Sequence, residues 1–196
     1  MKEAALLILC YLLGSIPFSY LFTRMLTRQD IRKRGSGNVG ATNVFRTSGP
    51  GVALLAFLGD LLKGLLAAWI GQSTGSQFLL VICVVLAVIG HIYPVFLGFK
   101  GGKGVTTSAG IILFLMPDVT GILLLIFLAI VYFTRYVSLG SITVACLLPL
   151  LSLAMGKPWS YIVIGILMAA LVVYHHRENI DRLRNGSEAK ITDKAK

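Results

Sequence analysis

The sequence predicts an all-α integral membrane protein with seven transmembrane helices, forming a single polytopic domain over residues 1–196. Of the 196 residues, 56% are hydrophobic and only 13% are charged, whereas a soluble domain has about 25% charged residues. The apolar residues form runs close to the ~20 that a helix needs to cross the hydrocarbon layer. Lys and Arg are concentrated in alternate loops, as expected of a chain that crosses a bilayer repeatedly.

The predicted spans are seven apolar segments, at residues 4–23, 51–71, 78–97, 105–116, 119–133, 139–155 and 159–174. The first resembles a signal peptide, but it has no convincing small-residue cleavage site and continues to basic residues, so we interpret it as a span. Pro17 and Pro94 predict breaks in the first and third spans, which a membrane tolerates where polar groups satisfy the freed backbone. The fourth segment is short enough to be re-entrant instead.

The distribution of positive charge predicts the orientation. With seven spans, fifteen of the eighteen Lys and Arg residues fall on one side, in the first, third and fifth loops and in a tail at about residues 177–196. The other side has Lys2 and Lys157 alone, and Lys63 lies within a span. Because positive loops stay in the cytoplasm, we expect the N-terminus outside and the tail in the cytoplasm. Orientation thus explains the net charge of +10, and we predict no nucleic-acid partner.

The first cytoplasmic loop is a candidate anion site. Between Arg34 and Arg46 it combines glycines with hydroxyl and amide side chains, so that backbone N–H groups can approach an anion and an arginine can clamp it. The candidates are Gly35, Ser36, Asn38, Thr42, Asn43 and Arg46. The alternative is a flexible basic loop attracted to anionic lipid headgroups.

The second cytoplasmic loop, residues 98–107 with the sequence GFKGGKGVTT, leads directly into an apolar segment. A glycine-rich turn at a helix N-terminus typically holds phosphate. Walker A spacing is absent because Gly104 follows Lys103, so we predict phosphate binding without ATP hydrolysis. The candidates are Lys100, Gly101, Gly102, Lys103, Gly104 and Thr106.

The third segment follows the last span and includes His176 and Asn179. On a continuous helix these two side chains share one face with Leu183. Glu178 and Arg182 have the spacing of a salt bridge. His176 and Asp181 match the His-x4-Asp pattern found in the common glycerolipid acyltransferases, but an offset of five residues on a helix places the two side chains on nearly opposite faces.

Some polar residues lie within the predicted spans. Asp60 and Lys63, one turn apart, either neutralise each other or shape a cavity, because a charge at membrane depth costs about 3 kcal/mol. Weaker candidates for lining a cavity are His91, Tyr93, Ser138 and Ser141. The cysteines Cys10, Cys83 and Cys146 are interpreted as packed apolar residues.

These segments resemble the PlsY family of bacterial membrane glycerol-3-phosphate acyltransferases. The resemblance rests on residues 36–43 (SGNVGATN) with Arg46, on residues 98–107 and on residues 173–190. It implies transfer of an acyl group from acyl phosphate to the 1-hydroxyl of sn-glycerol 3-phosphate, giving 1-acylglycerol 3-phosphate (lysophosphatidic acid) and phosphate. This would be the first step of phospholipid synthesis, at the cytoplasmic face of the bacterial plasma (inner) membrane, without a metal or cofactor.

The resemblance also implies roles for residues. The expected catalytic residues are His176, Asn179, Ser36, Arg46 and Lys103, and Ser141 joins the loop residues above in binding substrate. Either His176 or the donor phosphate takes the hydroxyl proton. The oligomeric state stays open, and a monomer is compatible. The alternative function is a transporter or flippase for an anionic metabolite, which inverted repeats would favour; we find none. A purely structural membrane subunit leaves the second cytoplasmic loop (residues 98–107, the glycine–lysine loop) unexplained.

Overall fold

The computed structural model describes residues 2–193, and in this range the chain is helical without a β-strand, as predicted. Lys194 and Lys196 of the predicted basic tail lie outside the described residues. The α-helices are α1 (Lys2–Ser15), α2 (Phe18–Thr27), α3 (Ala41–Ser48), α4 (Pro50–Ser73), α5 (Gln77–Ile92), α6 (Val105–Leu115), α7 (Pro117–Thr134), α8 (Val137–Ala154), α9 (Trp159–His175) and α10 (Arg177–Arg184). Short 3₁₀ turns lie at Ile31–Lys33 and Val95–Leu97.

Five helical segments in the described residues are long and apolar enough to cross a membrane. They are α1 with α2, α4, α5 extended to Leu97, α7 and α8. A sixth is α9 taken together with α10, although the two are bent by 59°. The predicted fourth span is α6, which has only 11 residues. The chain is thus a multi-pass helical bundle.

Proline ends helices where the sequence predicts it. The first segment is interrupted at Ile16 and Pro17, between α1 and α2, and α5 ends two residues before Pro94. Proline has no backbone N–H, and its ring clashes with the preceding turn. At the first break the Ile16 carbonyl accepts a hydrogen bond from Lys63 Nζ, and at the second the Ile92 carbonyl accepts the N–H of Gly101.

Glycine allows the helices of the core to approach closely. A methyl group on Gly14 of α1 would overlap the backbone of Ala87 in α5, and one on Gly64 of α4 would overlap the backbone of Thr107 in α6. Small residues at such crossings favour helix association in membranes, where van der Waals packing is the main attraction. The apolar core beside them includes Val84, Val88 and Ile111, all fully buried.

Hydrogen bonds and ion pairs distinguish the two ends of the bundle. At one end the Arg46 guanidinium donates to the Ala189 carbonyl, and the backbone N–H of Ile191 donates to the Arg135 carbonyl. This end, called the loop end, comprises residues 28–46, 98–104, 135 and 176–193. At the opposite end, Lys157 Nζ lies 2.5 Å from Asp118 Oδ2.

Candidate active site

The first loop is folded around the side chain of Asn43, which is buried at the start of α3. Its Nδ2 donates to the carbonyls of Arg34 at 3.0 Å and Asn38 at 3.1 Å. Its Oδ1 accepts the backbone N–H of Ser36 at 3.1 Å. Because its side-chain amide is fully used by the loop backbone, Asn43 maintains the shape of the loop. The Ser36 side chain is exposed.

Arg46 extends from α3 towards the C-terminal tail. Its Nη2 donates to the Ala189 carbonyl at 2.7 Å, while its Nε is buried without a hydrogen-bond partner in the described residues. Burial lowers the pKa of the guanidinium, and the carboxylates of Glu188 and Asp193 oppose this effect. A half-buried guanidinium with an unused N–H is suited to an anion.

The glycine–lysine loop differs from expectation in one respect. The sequence predicts that the N–H groups of Gly101 and Gly102 bind phosphate, but they donate to the carbonyls of Ile92 at 3.0 Å and His91 at 3.1 Å. Both N–H groups are therefore used by carbonyls at the end of α5. Anion-binding N–H groups remain in the first turn of α6, which begins after Gly104 and includes Thr106, since a first turn has no intrahelical acceptors.

Lys103 is the residue of this loop that reaches the other segments. Its Nζ donates to Oδ1 of Asn179. Burial, then the positive charge of Arg182, lowers the pKa of Lys103 to about 8. The ammonium therefore remains mostly charged at neutral pH, and a dianionic phosphate beside it would favour the charged form further.

His176 lies beyond the last residue of α9, at the bend before α10. The chain bends here by 59°, so the continuous helix that the sequence suggested is not formed. His176 and Asn179 are nevertheless both buried. Nδ1 of His176 lies 2.7 Å from the Val172 carbonyl; because a carbonyl only accepts, Nδ1 carries the proton and Nε2 of the neutral ring is an acceptor.

Glu188 was missed by the sequence analysis as a site residue. It accepts hydrogen bonds from Ser138 Oγ at 2.7 Å, Asn179 Nδ2 at 2.7 Å and Arg182 Nε at 2.8 Å. Burial alone would raise its pKa, but these donors lower it below its ordinary value. Residues 185–190 have no helical pattern that would place Glu188 on a particular face. The signal that could have identified it is a single glutamate within a strongly basic tail.

The remaining predicted residues lie at different places around the loop end. An open cavity of about 180 Å³ is lined by Asn38, Lys100, Gly101, Gly102 and Lys103, together with Tyr93, His175 and Arg177. Gly35 is exposed and Thr42 is half-buried. Ser141 is buried, and its Oγ donates to the Val137 carbonyl of its own helix. Its neighbour one turn away, Ser138, is the serine that hydrogen-bonds to Glu188.

Two pairs predicted from sequence spacing can be assessed directly. Asp181 is exposed while His176 is buried, which agrees with discounting the His-x4-Asp pattern. Arg182 lies 4.0 Å from Glu178 but 2.8 Å from Glu188, so the predicted salt bridge is the weaker of its two contacts. Arg46, Lys103, Asn179 and Glu188 thus form one polar cluster with His176 beside it.

The family model for glycerol-3-phosphate acyltransferase matches residues 4–186 of this chain. The chain belongs to the glycerol-3-phosphate acyltransferase family. A glycerol-3-phosphate acyltransferase of Syntrophomonas wolfei is 96% identical over 195 residues, covering 100% of both chains. One from Carboxydothermus hydrogenoformans is 44% identical over 184 residues, covering 94% of each.

Solved structures of this family have the same fold. A crystal structure of PlsY (YgiH), an integral membrane glycerol 3-phosphate acyltransferase, in its glycerol 3-phosphate form has a TM-score of 0.92 at 40% identity, covering 97% of this chain and 96% of that one. The lysophosphatidic acid form has a TM-score of 0.90 at 39% identity, covering 97% and 95%. The predictions of PlsY family, acyltransferase class and integral membrane fold are confirmed.

Proposed function

We propose that this acyltransferase uses acyl phosphate as donor and acylates the 1-hydroxyl of sn-glycerol 3-phosphate, giving 1-acylglycerol 3-phosphate and phosphate. The hydroxyl oxygen attacks the acyl carbonyl carbon, the new ester bond forms, and the carbon–oxygen bond of the mixed anhydride breaks. Such an activated donor needs mainly positioning and charge stabilisation. This fits a site rich in cations and without a Ser-His-Asp or Cys-His arrangement among the residues identified.

The observation that carries this proposal is that two cations, Arg46 and Lys103, both lie in the polar cluster at the loop end. Arg46 has a buried Nε–H without a partner in the described residues, and Lys103 Nζ is held by Asn179. Two cations facing one polar cluster would hold the phosphate of glycerol 3-phosphate. Ser36, Thr42 and Asn38 would complete the polar wall, and the first turn of α6 would receive the second phosphate.

The proton of the attacking hydroxyl has two possible acceptors, the donor phosphate and Nε2 of His176. Burial, then the positive charge of Lys103, lowers the pKa of His176 to about 4, so the ring is neutral at physiological pH but a weak base. The phosphate that leaves as the anhydride breaks is the stronger base, because its oxygen gains the electron pair of the broken carbon–oxygen bond. We therefore assign the proton to the donor phosphate and the orientation of the hydroxyl to His176.

We also propose seven membrane passes, with the N-terminus outside and the loop end in the cytoplasm of a bacterium, at its plasma membrane. The support for a seventh pass is α6, which begins after Gly104 in the loop end and ends just before Met116. Met116 Sδ accepts from Ser152 Oγ, and Ser152 lies 14 residues along α8 from Ser138, which binds Glu188. This placement of α6 supports a seventh pass despite the length of the helix, and the positive-inside rule supports the proposed orientation.

Purified protein in detergent with acyl phosphate and glycerol 3-phosphate tests this function. We expect release of phosphate and formation of lysophosphatidic acid in equal amounts, and no product when acyl-CoA replaces acyl phosphate. Turnover with acyl-CoA at a comparable rate would refute the proposed donor. Glycerol 3-phosphate binding without any acyl transfer would instead favour a transporter.

A further inference from the structure

Three ionisable side chains, Asp60, Lys63 and His91, lie buried in the bundle outside the polar cluster described above. Their exposed fractions are 1%, 1% and 7%. Asp60 Oδ1 lies 2.8 Å from Lys63 Nζ and 3.5 Å from His91 Nδ1. The predicted neutralisation of Asp60 by Lys63 is confirmed. Replacing a buried ion pair by apolar side chains of similar volume often leaves a protein at least as stable. The presence of these three charged or ionisable side chains is therefore better explained by the geometry that they fix than by a gain in stability.

The buried group formed by Asp60, Lys63 and His91 joins the break in the first span to α4 and α5. Lys63 Nζ donates to the Ile16 carbonyl at 2.9 Å, which is a backbone group at the interruption before Pro17. Ser19 Oγ donates to the other carboxylate oxygen of Asp60 at 3.1 Å. These contacts fix where the broken helix, α4 and the end of α5 lie relative to one another.

His91 is also the surface on which the glycine–lysine loop rests. Its carbonyl accepts the N–H of Gly102 at 3.1 Å. A methyl group on Gly102 would overlap Nε2 of the His91 ring and lie 2.7 Å from the Val39 carbonyl oxygen. One edge of the imidazole therefore faces Asp60 and the other faces Gly102, and the next residue in the chain is Lys103.

We propose that Asp60, Lys63 and His91 are positioning residues for acyl transfer. They hold the His91 ring in place, the ring sets the depth of residues 101–103, and that depth lets Lys103 reach Asn179 and the substrate phosphate. The three side chains act through the loop, without contact with substrate. This inference rests on the proposed function, which wild-type turnover tests first.

The test is the double variant Asp60→Asn/Lys63→Met, which removes both charges at similar volume and leaves no unpaired charge in the bundle. We expect a folded protein whose KM for glycerol 3-phosphate rises about tenfold or more, because a misplacement of about 1 Å can cost 10²-fold. The pH at which kcat/KM falls should also be higher than in the wild type, because a displaced Lys103 is more exposed and its pKa is lowered less by burial. A folded double variant with the wild-type KM and pH profile would overturn the proposal.

The matched control is Asp118→Asn/Lys157→Met, which removes the ion pair at the opposite end of the bundle. Its KM and pH profile should equal those of the wild type; a matching KM rise in the control would also overturn the proposal. A second variant, His91→Phe, keeps a ring beneath Gly102 but loses the contact with Asp60, and it should show the same rise in KM.

A wild-type KM in folded His91→Phe contradicts the proposal. If neither the double variant nor His91→Phe yields folded protein by size-exclusion chromatography, the cluster serves the fold itself and the proposal is wrong. Failure of the proposed function is seen separately, as absence of lysophosphatidic acid with the wild type and acyl phosphate.

Discussion

Asn179 donates its side-chain N–H to Glu188 Oε1 at 2.7 Å, and on its other side Oδ1 accepts from Lys103. A side-chain amide is both donor and acceptor, so this residue connects a cation of the glycine–lysine loop to a carboxylate of the tail. Glu188 in turn accepts from Ser138 and Arg182. Removing one member leaves others buried without partners, which costs more than the hydrogen bond itself contributed.

Glu188→Ala should destabilise the protein by about 2–4 kcal/mol, because three donors lose their acceptor. Glu188→Gln keeps an acceptor oxygen and should be destabilised less. Thermal unfolding in detergent measures both. The control is Glu178→Ala, which removes an exposed carboxylate 4.0 Å from Arg182 and should hardly change the melting temperature. An unchanged melting temperature in Glu188→Ala would contradict a stabilising role for the polar cluster around Glu188.

The kcat/KM for glycerol 3-phosphate should fall as pH rises through about 8, the lowered pKa of Lys103. Below this pH the ammonium is charged and binds phosphate; above it, the neutral amine does not. In Lys103→Arg the side chain keeps its charge across this range, so the alkaline fall should disappear even if the rate is lower. A wild-type profile that stays flat from about pH 7 to 10 would show that Lys103 is not the titrating group.

The sequence predicts the segments of the site better than their contacts. Glycine spacing and basic residues identify the loops around Asn43 and Lys103, because close backbone approach and charge are visible in residue types. The inward hydrogen bonds of Gly101 and Gly102 depend on where α5 ends in space, which no local pattern contains. The role of Glu188 depends likewise on how the tail folds back onto Ser138.

Gly102→Ala should lower kcat/KM by about tenfold or more, because its methyl group overlaps the His91 ring and the loop must move away. Steady-state kinetics with glycerol 3-phosphate as the varied substrate measures this. Gly121→Ala is the matched control, since a methyl group there meets nothing within 4 Å. Equal kinetics for the two variants would mean that the loop tolerates displacement.

His176→Asn should reduce kcat by less than about tenfold, since loss of a general base usually costs 10²–10⁴-fold. The Asn side-chain amide can still donate towards the Val172 carbonyl, which Nδ1 contacts at 2.7 Å in the wild type, but the acceptor Nε2 is lost. Single-turnover measurements with acyl phosphate isolate the chemical step. A reduction of 10²-fold or more would assign the proton to His176 and exclude the donor phosphate as the base.

Arg46→Lys should raise the KM for glycerol 3-phosphate by about tenfold or more although the charge is kept, because a lysine cannot reproduce a planar fork of donors. Arg46 uses Nη2 for the Ala189 carbonyl at 2.7 Å, and its buried Nε–H has no partner in the described residues. A single ammonium has to choose between the tail and the substrate. Arg34→Lys, at an exposed position of the same loop, controls for a general change of arginine to lysine and should leave KM unaltered. If Arg46→Lys has the wild-type KM, Arg46 contributes only its positive charge, and recognition of the phosphate of glycerol 3-phosphate rests on Lys103.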